Sequence, residues 1–299
     1  MKKMLFIFNP VSGKAQIKSK LLEIIKTFVS GGFSVEVHPT QKKGEVSEII
    51  SERASEYDRI VVSGGDGTLN ECICGLSDIS QELRPVIGFI PAGTTNDFAS
   101  NLKIPRDMIK ASKIAISGEV FSCDIGTFND KHFLYVAAFG AFTDIPYETP
   151  QMNKNYLGHL AYLLEGMKKL TNLKSYKLTV EADGNSYTGE YAFGMASNSN
   201  YVAGMKTRSK LHAALNDGLF EVILIKYPKT LMELQAIISD LLTQNFSSNH
   251  FEMFRTSSAT FTFENETPWT LDGEFGGLVS YADIKIEKSS VKFSSGFKI

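Results

Sequence analysis

Three short stretches hold most of the residues that could do chemistry: Asn9-Pro10-Val11-Ser12-Gly13-Lys14, Gly64-Gly65-Asp66-Gly67-Thr68-Leu69-Asn70-Glu71 and Pro91-Ala92-Gly93-Thr94-Thr95-Asn96-Asp97. Glycines let a backbone turn tightly and approach a phosphate, and the N–H groups at the start of a following helix bind its oxygens. Asp66 in such a nest would repel phosphate unless a cation lay between them, so the pattern points to phosphate bridged by Mg²⁺. One loop of this kind would pass as an ordinary strand-to-helix turn. Three of them on one edge of a parallel sheet converge on a single site. Ser12-Gly13-Lys14-Ala15 is not a Walker A loop, and Asn70 stands where a dinucleotide fingerprint needs its third glycine. The protein-kinase signature set is missing as well.

The elements that must position these loops follow from periodicity. Met4–Phe8 is continuously apolar, as a strand buried on both faces should be. Ile17, Leu21, Leu22, Ile25 and Phe28 recur at helical spacing, and Gly31-Gly32 ends that helix. Phe33–His38 is a second strand, and Val46, Ile49 and Ile50 begin a second helix. Ile60–Ser63, Val86–Pro91 and Val120–Phe128 are further strands. This alternation predicts a doubly wound parallel sheet over residues 1–125. Beyond it the grammar becomes antiparallel: Asn129-Asp130 and Asp183-Gly184 read as hairpin turns. Lys177–Glu181, Tyr187–Ala196, Leu219–Ile225, Phe251–Phe263 and Ile284–Phe297 read as strands, and Gly158–Leu170 and Thr230–Leu242 as helices. The expected architecture is α/β plus mostly β. An α/β domain over 1–125 precedes a β-sandwich-like or barrel-like domain over 126–288. Residues from about 289 to 299 pack back on the first domain.

The chain has 299 residues, 43% hydrophobic and 21% charged, which excludes disordered and fibrous classes. Its 31 basic and 33 acidic residues give a net charge of −2, unlike a nucleic-acid binder. Three cysteines, Cys72, Cys74 and Cys123, make no disulfide framework and read as structural thiols of a reducing, intracellular compartment. The longest apolar stretch, Phe133–Phe142, is a core strand or, alternatively, the wall of a lipid groove, far short of the roughly 20 residues of a spanning helix. His38, His132, His159, His212 and His250 lack any partner pattern and none is read as catalytic. Lys168, Lys169, Lys174, Lys177, Lys206, Arg208 and Lys210 form a solvated face or, alternatively, a face toward anionic lipid.

The three glycine loops together resemble the diacylglycerol kinase catalytic family, in particular its soluble bacterial branch of lipid kinases. Leu215-Asn216-Asp217-Gly218-Leu219-Phe220, Leu271-Asp272-Gly273-Glu274 and Tyr147-Glu148-Thr149-Pro150 extend the likeness over nearly the whole chain. The resemblance implies an ATP- and Mg²⁺-dependent kinase that phosphorylates the primary hydroxyl of diacylglycerol or a related lipid. By that resemblance the first domain binds nucleotide, the second binds the lipid substrate and the active site lies in the cleft between them; Asn9, Pro10, Ser12, Gly13, Thr40, Gly64 through Asn70, Thr94 and Asn96 line the ATP site, and Lys14 neutralises phosphate charge. Asp66 organises Mg²⁺ with Asp97 and Asp124. Glu274, with Asp272 beside it, is the general base. Asp217 holds a second, structural Mg²⁺ with the carbonyls of Ala214 and Leu219, although Asn-Asp-Gly also reads as a hairpin turn. The family commonly has an arginine where this chain has Ser100, which leaves Lys14 or Lys103 to supply that charge. The expected partners are a lipid substrate and, peripherally, the inner face of the membrane; nucleic acid is excluded, and a homodimer suits an enzyme of this size. The competing readings are an NAD kinase, whose Gly-Ser-Thr-Ala-Tyr segment is missing, and a nucleotide-binding regulator with little turnover.

Overall fold

The computed structural model describes residues 1–13, 17–93, 96–140, 173–198, 201–202, 205–206, 215–243 and 245–297. The chain divides into two compact units, Met1–Ile125 with Lys288–Ile299, and Gly126–Glu287. The helix expected at Gly158–Leu170 and the Tyr147–Pro150 motif lie outside the described residues, as do His159, Lys168, Lys169, Arg208, Lys210 and His212.

In the first unit the order is β1 (Lys2–Phe8), α1 (Ile17–Ser30), β2 (Phe33–Pro39), α2 (Glu45–Arg53), β3 (Arg59–Gly64), α3 (Asp66–Ser77), β4 (Val86–Pro91), α4 (Asp97–Asn101), α5 (Met108–Ser117) and the start of β5 (Glu119–Phe128). The strands pair in the order β2-β1-β3-β4, all parallel. Met4–Phe8 and Ile60–Gly64 are buried throughout, which is why the first reads as an unbroken apolar run and the second opens on Ile60-Val61-Val62. Helix α1 packs against α5 and α2 against α3, supplying the two helical layers of a doubly wound sheet. The buried stripe of α1 is Ile17, Ile24 and Phe28. Leu22, placed on that stripe by its spacing, is instead 67% exposed. Asp107 caps α5, a helix not anticipated from the sequence, by accepting the Lys110 N–H at 2.8 Å.

The second unit contains β6 (Lys131–Phe133), β7 (Val136–Gly140), β8 (Tyr176–Ala182), β9 (Asn185–Ser197), β10 (Tyr201–Val202), β11 (Met205–Lys206), β12 (Phe220–Lys226), α6 (Leu231–Thr243), β13 (Phe251–Thr256), β14 (Ser258–Leu271) and most of β15 (Glu274–Ser295). Strand β14 pairs with β8 through Thr260–Phe263 and with β7 through Trp269–Leu271; β9 pairs with both β8 and β7. These four strands close a ring around Phe139, Tyr191, Phe261, Phe263 and Trp269. Edge-to-face contacts such as Phe139–Phe263, with centroids 4.9 Å apart, fill its centre. Helix α6 covers the opposite faces of β7, β9 and β12 with Leu234, Ile237 and Leu241. Phe251–Phe263, read from the sequence as one strand, is two: Thr256 Oγ1 donates to the Ser258 carbonyl at 2.6 Å and turns the chain at Ser257.

Candidate active site

The order β2-β1-β3-β4 reverses direction between β1 and β3, and ligands of open parallel sheets lie at such a switch point beyond the strand ends. The register brings the strand ends level. Phe8 is paired with both Pro39 and Ser63, and Gly64 with Pro91. Residues 9–13, Thr40, 64–70 and 91–93 therefore leave one edge of one sheet.

Backbone hydrogen bonds tie the loops together. The Asn9 N–H donates to the Ser63 carbonyl at 2.9 Å and Thr40 N–H to the Phe8 carbonyl at 3.0 Å. The Gly64 carbonyl accepts the N–H groups of Ala92 and Gly93, at 2.8 and 3.2 Å. Asn9 Oδ1 accepts the Val11 N–H at 3.0 Å, an Asx turn that shapes the first loop around Pro10. Asn96, with φ +54°, accepts the Gly93 N–H at 3.0 Å and returns its own amide N–H to the Gly93 carbonyl at 2.6 Å. That side chain braces the third loop, and its second amide N–H is not used in these two bonds.

Close approach explains the glycines. A Cβ on Gly13, whose φ is +56°, would lie 2.1 Å from the Ala92 carbonyl oxygen, and one on Gly93 would lie 2.7 Å from the Gly65 Cα. Ser12 Oγ is 4.0 Å from the Cβ position of Gly65. All three loops thus meet around the start of α3. Gly65 precedes that helix and supplies no side-chain cap, which is the kind of helix start at which anions bind. Asp66 is the first helical residue, and its Oδ1 accepts the Phe98 N–H at 3.4 Å. The helix also carries Gly67, Thr68, Leu69 and Asn70, of which Leu69 is buried. Among the described residues no three His, Cys, Asp or Glu side chains form a metal-binding group. A divalent ion here fits the pattern of hard cations that take one or two carboxylates, phosphate oxygens and water. Lys14, Thr94 and Ala214 lie outside the described residues, and of Asp97 only the backbone, opening α4, is described. Asp124 is buried and accepts the Ser289 N–H at 2.7 Å. The Lys103 ammonium lies 5.1 Å from the centre of the Phe297 ring, so its charge is engaged there.

In the second unit Asp272 and Gly273, with φ +49° and +89°, form the two-residue turn joining β14 to β15. The turn holds Glu274 exposed at the first position of β15. The Asp272 carboxylate accepts three backbone N–H groups, from Leu134 at 2.6 Å, Tyr135 at 2.9 Å and Val136 at 3.0 Å. Its own N–H donates to the Val136 carbonyl, and the Tyr135 hydroxyl donates to its carbonyl. Asp272 therefore anchors the turn that carries Glu274. Lys131 Nζ donates to the Gly276 carbonyl at 2.6 Å and steadies the other side of the turn. Neither Tyr135 nor Lys131 stood out in the sequence, because both act on backbone far along the chain.

Asp217 differs from the expectation of a metal ligand. Its Oδ1 accepts the Leu219 N–H at 3.0 Å, and its Oδ2 is held by the Arg255 guanidinium. Arg255 Nε also donates to Glu221 Oε1 at 3.1 Å. Burial pushes the Glu221 carboxyl up to about 7, against the opposing pull of Arg255. The described histidines each contact a carboxylate: His38 with Glu45, His132 with Glu287 and His250 with Asp240. Cys72, Cys74 and Cys123 are free thiols, and burial raises the pKa of Cys72 and Cys123 well above the usual thiol range. Lys177 pairs with Glu264 at 3.4 Å on the surface.

Residues 3–128 match the diacylglycerol kinase catalytic domain, and residues 146–287 match the YegS C-terminal NAD kinase beta sandwich-like domain. The chain is 33% identical over 281 residues to a diacylglycerol kinase of Bacillus subtilis (strain 168), covering 93% of this chain and 92% of that one. It is 34% identical to a diacylglycerol kinase of Staphylococcus carnosus (strain TM300), covering 91% and 88%. A crystal structure of a diacylglycerol kinase from Bacillus anthracis str. Sterne shares the fold, with a TM-score of 0.76 at 23% identity, over 99% of this chain and 97% of that one. A doubly wound α/β unit matching that catalytic domain, followed by a β unit of this type, defines a phosphotransferase of the lipid-kinase class. The chain belongs to the diacylglycerol kinase family, and as such it is a kinase whose acceptor is a lipid alcohol. No helix among the described residues is long and apolar enough to cross a membrane.

Proposed function

We propose that the protein transfers the γ-phosphoryl group of ATP to the primary hydroxyl of diacylglycerol, giving phosphatidate and ADP, with Mg²⁺ as the divalent ion. The observation that supports this most is the meeting of three glycine turns around Asp66 at the switch point of a parallel sheet, in a chain of this family. Asn9, Pro10, Ser12, Gly13, Thr40, Gly64 through Asn70 and Thr94 would cradle the nucleotide, with Asn96 bracing the third loop and Lys14 opposing phosphate charge. Asp66, with Asp97 and Asp124, would hold Mg²⁺, which when bound neutralises charge on the transferring phosphoryl group.

Glu274 carries the proton chemistry. Its carboxylate takes the proton of the acceptor hydroxyl as that oxygen bonds to the γ-phosphorus. The bond from phosphorus to the β,γ-bridging oxygen breaks, and ADP leaves with that oxygen's charge. Asp272 fixes the turn that presents Glu274. Reaching a bilayer-embedded hydroxyl calls for peripheral contact with the inner membrane face, and the assembly we expect is a homodimer. Vesicle sedimentation and light scattering test those two points.

The reaction is tested with labelled ATP, Mg²⁺ and diacylglycerol in mixed micelles, alongside Asp66→Asn and Glu274→Gln. Labelled phosphatidate from the wild type, lost in both variants, is the expected result. Transfer to NAD in a parallel incubation, with none to lipid, overturns the acceptor. ATP binding with transfer to no acceptor, including a wider lipid panel, overturns turnover itself.

A further inference from the structure

The second unit holds a charge cluster that phosphoryl transfer does not use. Glu221 on β12 faces Arg255 across the antiparallel pair with β13 and faces Ser197 on β9 at its other side. Its side chain is 1% exposed. The Arg255 guanidinium spans two carboxylates, donating from Nε to Glu221 Oε1 at 3.1 Å and from Nη2 to Asp217 Oδ2. The second Glu221 oxygen, Oε2, is buried with no hydrogen-bond partner among the described residues.

This cluster occupies the place where the family resemblance implied a structural Mg²⁺ on Asp217. The donor set does not suit that ion. A hard cation needs carboxylate oxygens open to it, but one Asp217 oxygen takes the Leu219 N–H and the other takes a guanidinium. An ion seated on Asp217 would also face the fixed positive charge of Arg255 across a hydrogen-bond length. A guanidinium stays charged at any working pH and matches carboxylates with its planar fork. We infer that Arg255 is the resident cation of this acidic pair, so that the β unit of this chain holds the 215–221 turn without a metal ion. The inference concerns folding, and it stands or falls separately from the proposed reaction.

The test is thermal unfolding of the full chain without nucleotide, in EDTA and in millimolar Mg²⁺, for the wild type, Asp66→Asn, Asp217→Asn, Arg255→Lys and Arg255→Leu. The wild-type midpoint is expected to be the same with and without Mg²⁺, or to show only a rise that Asp66→Asn abolishes. Arg255→Leu leaves both acids uncompensated, and its midpoint should fall by roughly 10 °C, with part of that loss recovered in Arg255→Lys. A Mg²⁺-dependent rise in the wild type that survives Asp66→Asn but vanishes in Asp217→Asn overturns the inference. So does an Arg255→Leu protein as stable as the wild type. Should Arg255→Leu fail to fold, titration calorimetry of Mg²⁺ into Asp66→Asn decides: no heat supports Arg255 as the cation, and heat that an added Asp217→Asn removes refutes it.

Discussion

The glycine loops proposed as a phosphate cradle in the first unit and the turn proposed to carry the base in the second are built from opposite materials. In the cradle the working groups are backbone N–H donors, and what matters is the absence of side chains: a Cβ on Gly13 would lie 2.1 Å from a carbonyl oxygen. In the turn the working groups are side chains, and backbone N–H donors serve them: three converge on Asp272 so that Glu274 is presented. A substitution in the cradle acts by adding atoms, and one in the turn acts by removing a partner. The two should therefore fail differently, the first in nucleotide affinity, the second in turnover and local stability.

That difference can be broken or sharpened experimentally. The largest effect is expected from Glu274→Gln, which should lower kcat by roughly 10²–10⁴-fold while leaving ATP affinity, read by calorimetry, unchanged. Equal loss of affinity would end the contrast. Asp272→Ala strips the acceptor from three N–H groups; at about 1–3 kcal/mol for an unsatisfied buried donor, urea unfolding should report a loss of about 3 kcal/mol. Its kcat should fall more than its KM rises, and Glu274→Gln should add little to it. Gly13→Ala should weaken ATP binding by about tenfold or more, since the left-handed conformation alone costs an ordinary residue roughly 1–2 kcal/mol. Its kcat at saturating ATP should hold. A further effect lies in pH dependence. The Glu221 carboxyl titrates near 7 when folded, above its ordinary 4.5. The folded state thus holds a proton that the unfolded state has lost. That stabilisation is complete below the unfolded value and is lost as pH rises through the folded one. Between about pH 5 and pH 8 the wild type should lose about 2 kcal/mol relative to Glu221→Gln. Parallel stability curves for the two proteins would contradict this.

A second pairing of arginine with acid, on the first unit, shows why burial sets that sign. Glu36 meets Arg53 at 2.7 Å and Tyr57 at 2.6 Å near the surface, and its carboxyl is held down at about 2. Glu221 also touches a guanidinium, yet desolvation outweighs the attraction and its carboxyl rises.

The loops of the first unit were readable because their partners lie in the same repeating strand–turn–helix grammar. Gly64, Asp66 and Gly93 announce a cradle wherever apolar runs such as Met4–Phe8 stop. The strand limits at Val86–Pro91 and the turn at Asp183-Gly184 were equally plain, since apolar runs and left-handed turn residues are local signals. Less was readable where contacts are distant. Asp272 looked like a second acid beside Glu274, because the three N–H groups that occupy it lie in the 134–136 segment, far earlier in the chain. Asp217 looked like a metal ligand or a hairpin residue, because Arg255 reaches it from 38 positions away. Helical spacing alone put Leu22 on the buried face of α1, and packing chose Ile24. Glu264, Asn265, Glu266 and Pro268 disguised the second half of β14, whose register with β15 shifts in that stretch.

The parallel pairing of Phe293 with Ile87 bears on how the protein is made. The first unit completes its sheet with residues from β15, which a ribosome adds about 160 residues after Ile125, a delay on the order of ten to thirty seconds at common elongation rates. Until then β4, whose residues Ile87–Pro91 end up buried, has an open edge, the kind of surface on which nascent chains aggregate. Translation speed through 126–287, and any chaperone that shields β4 meanwhile, should therefore govern the yield of the nucleotide-side unit more than that unit's own sequence does.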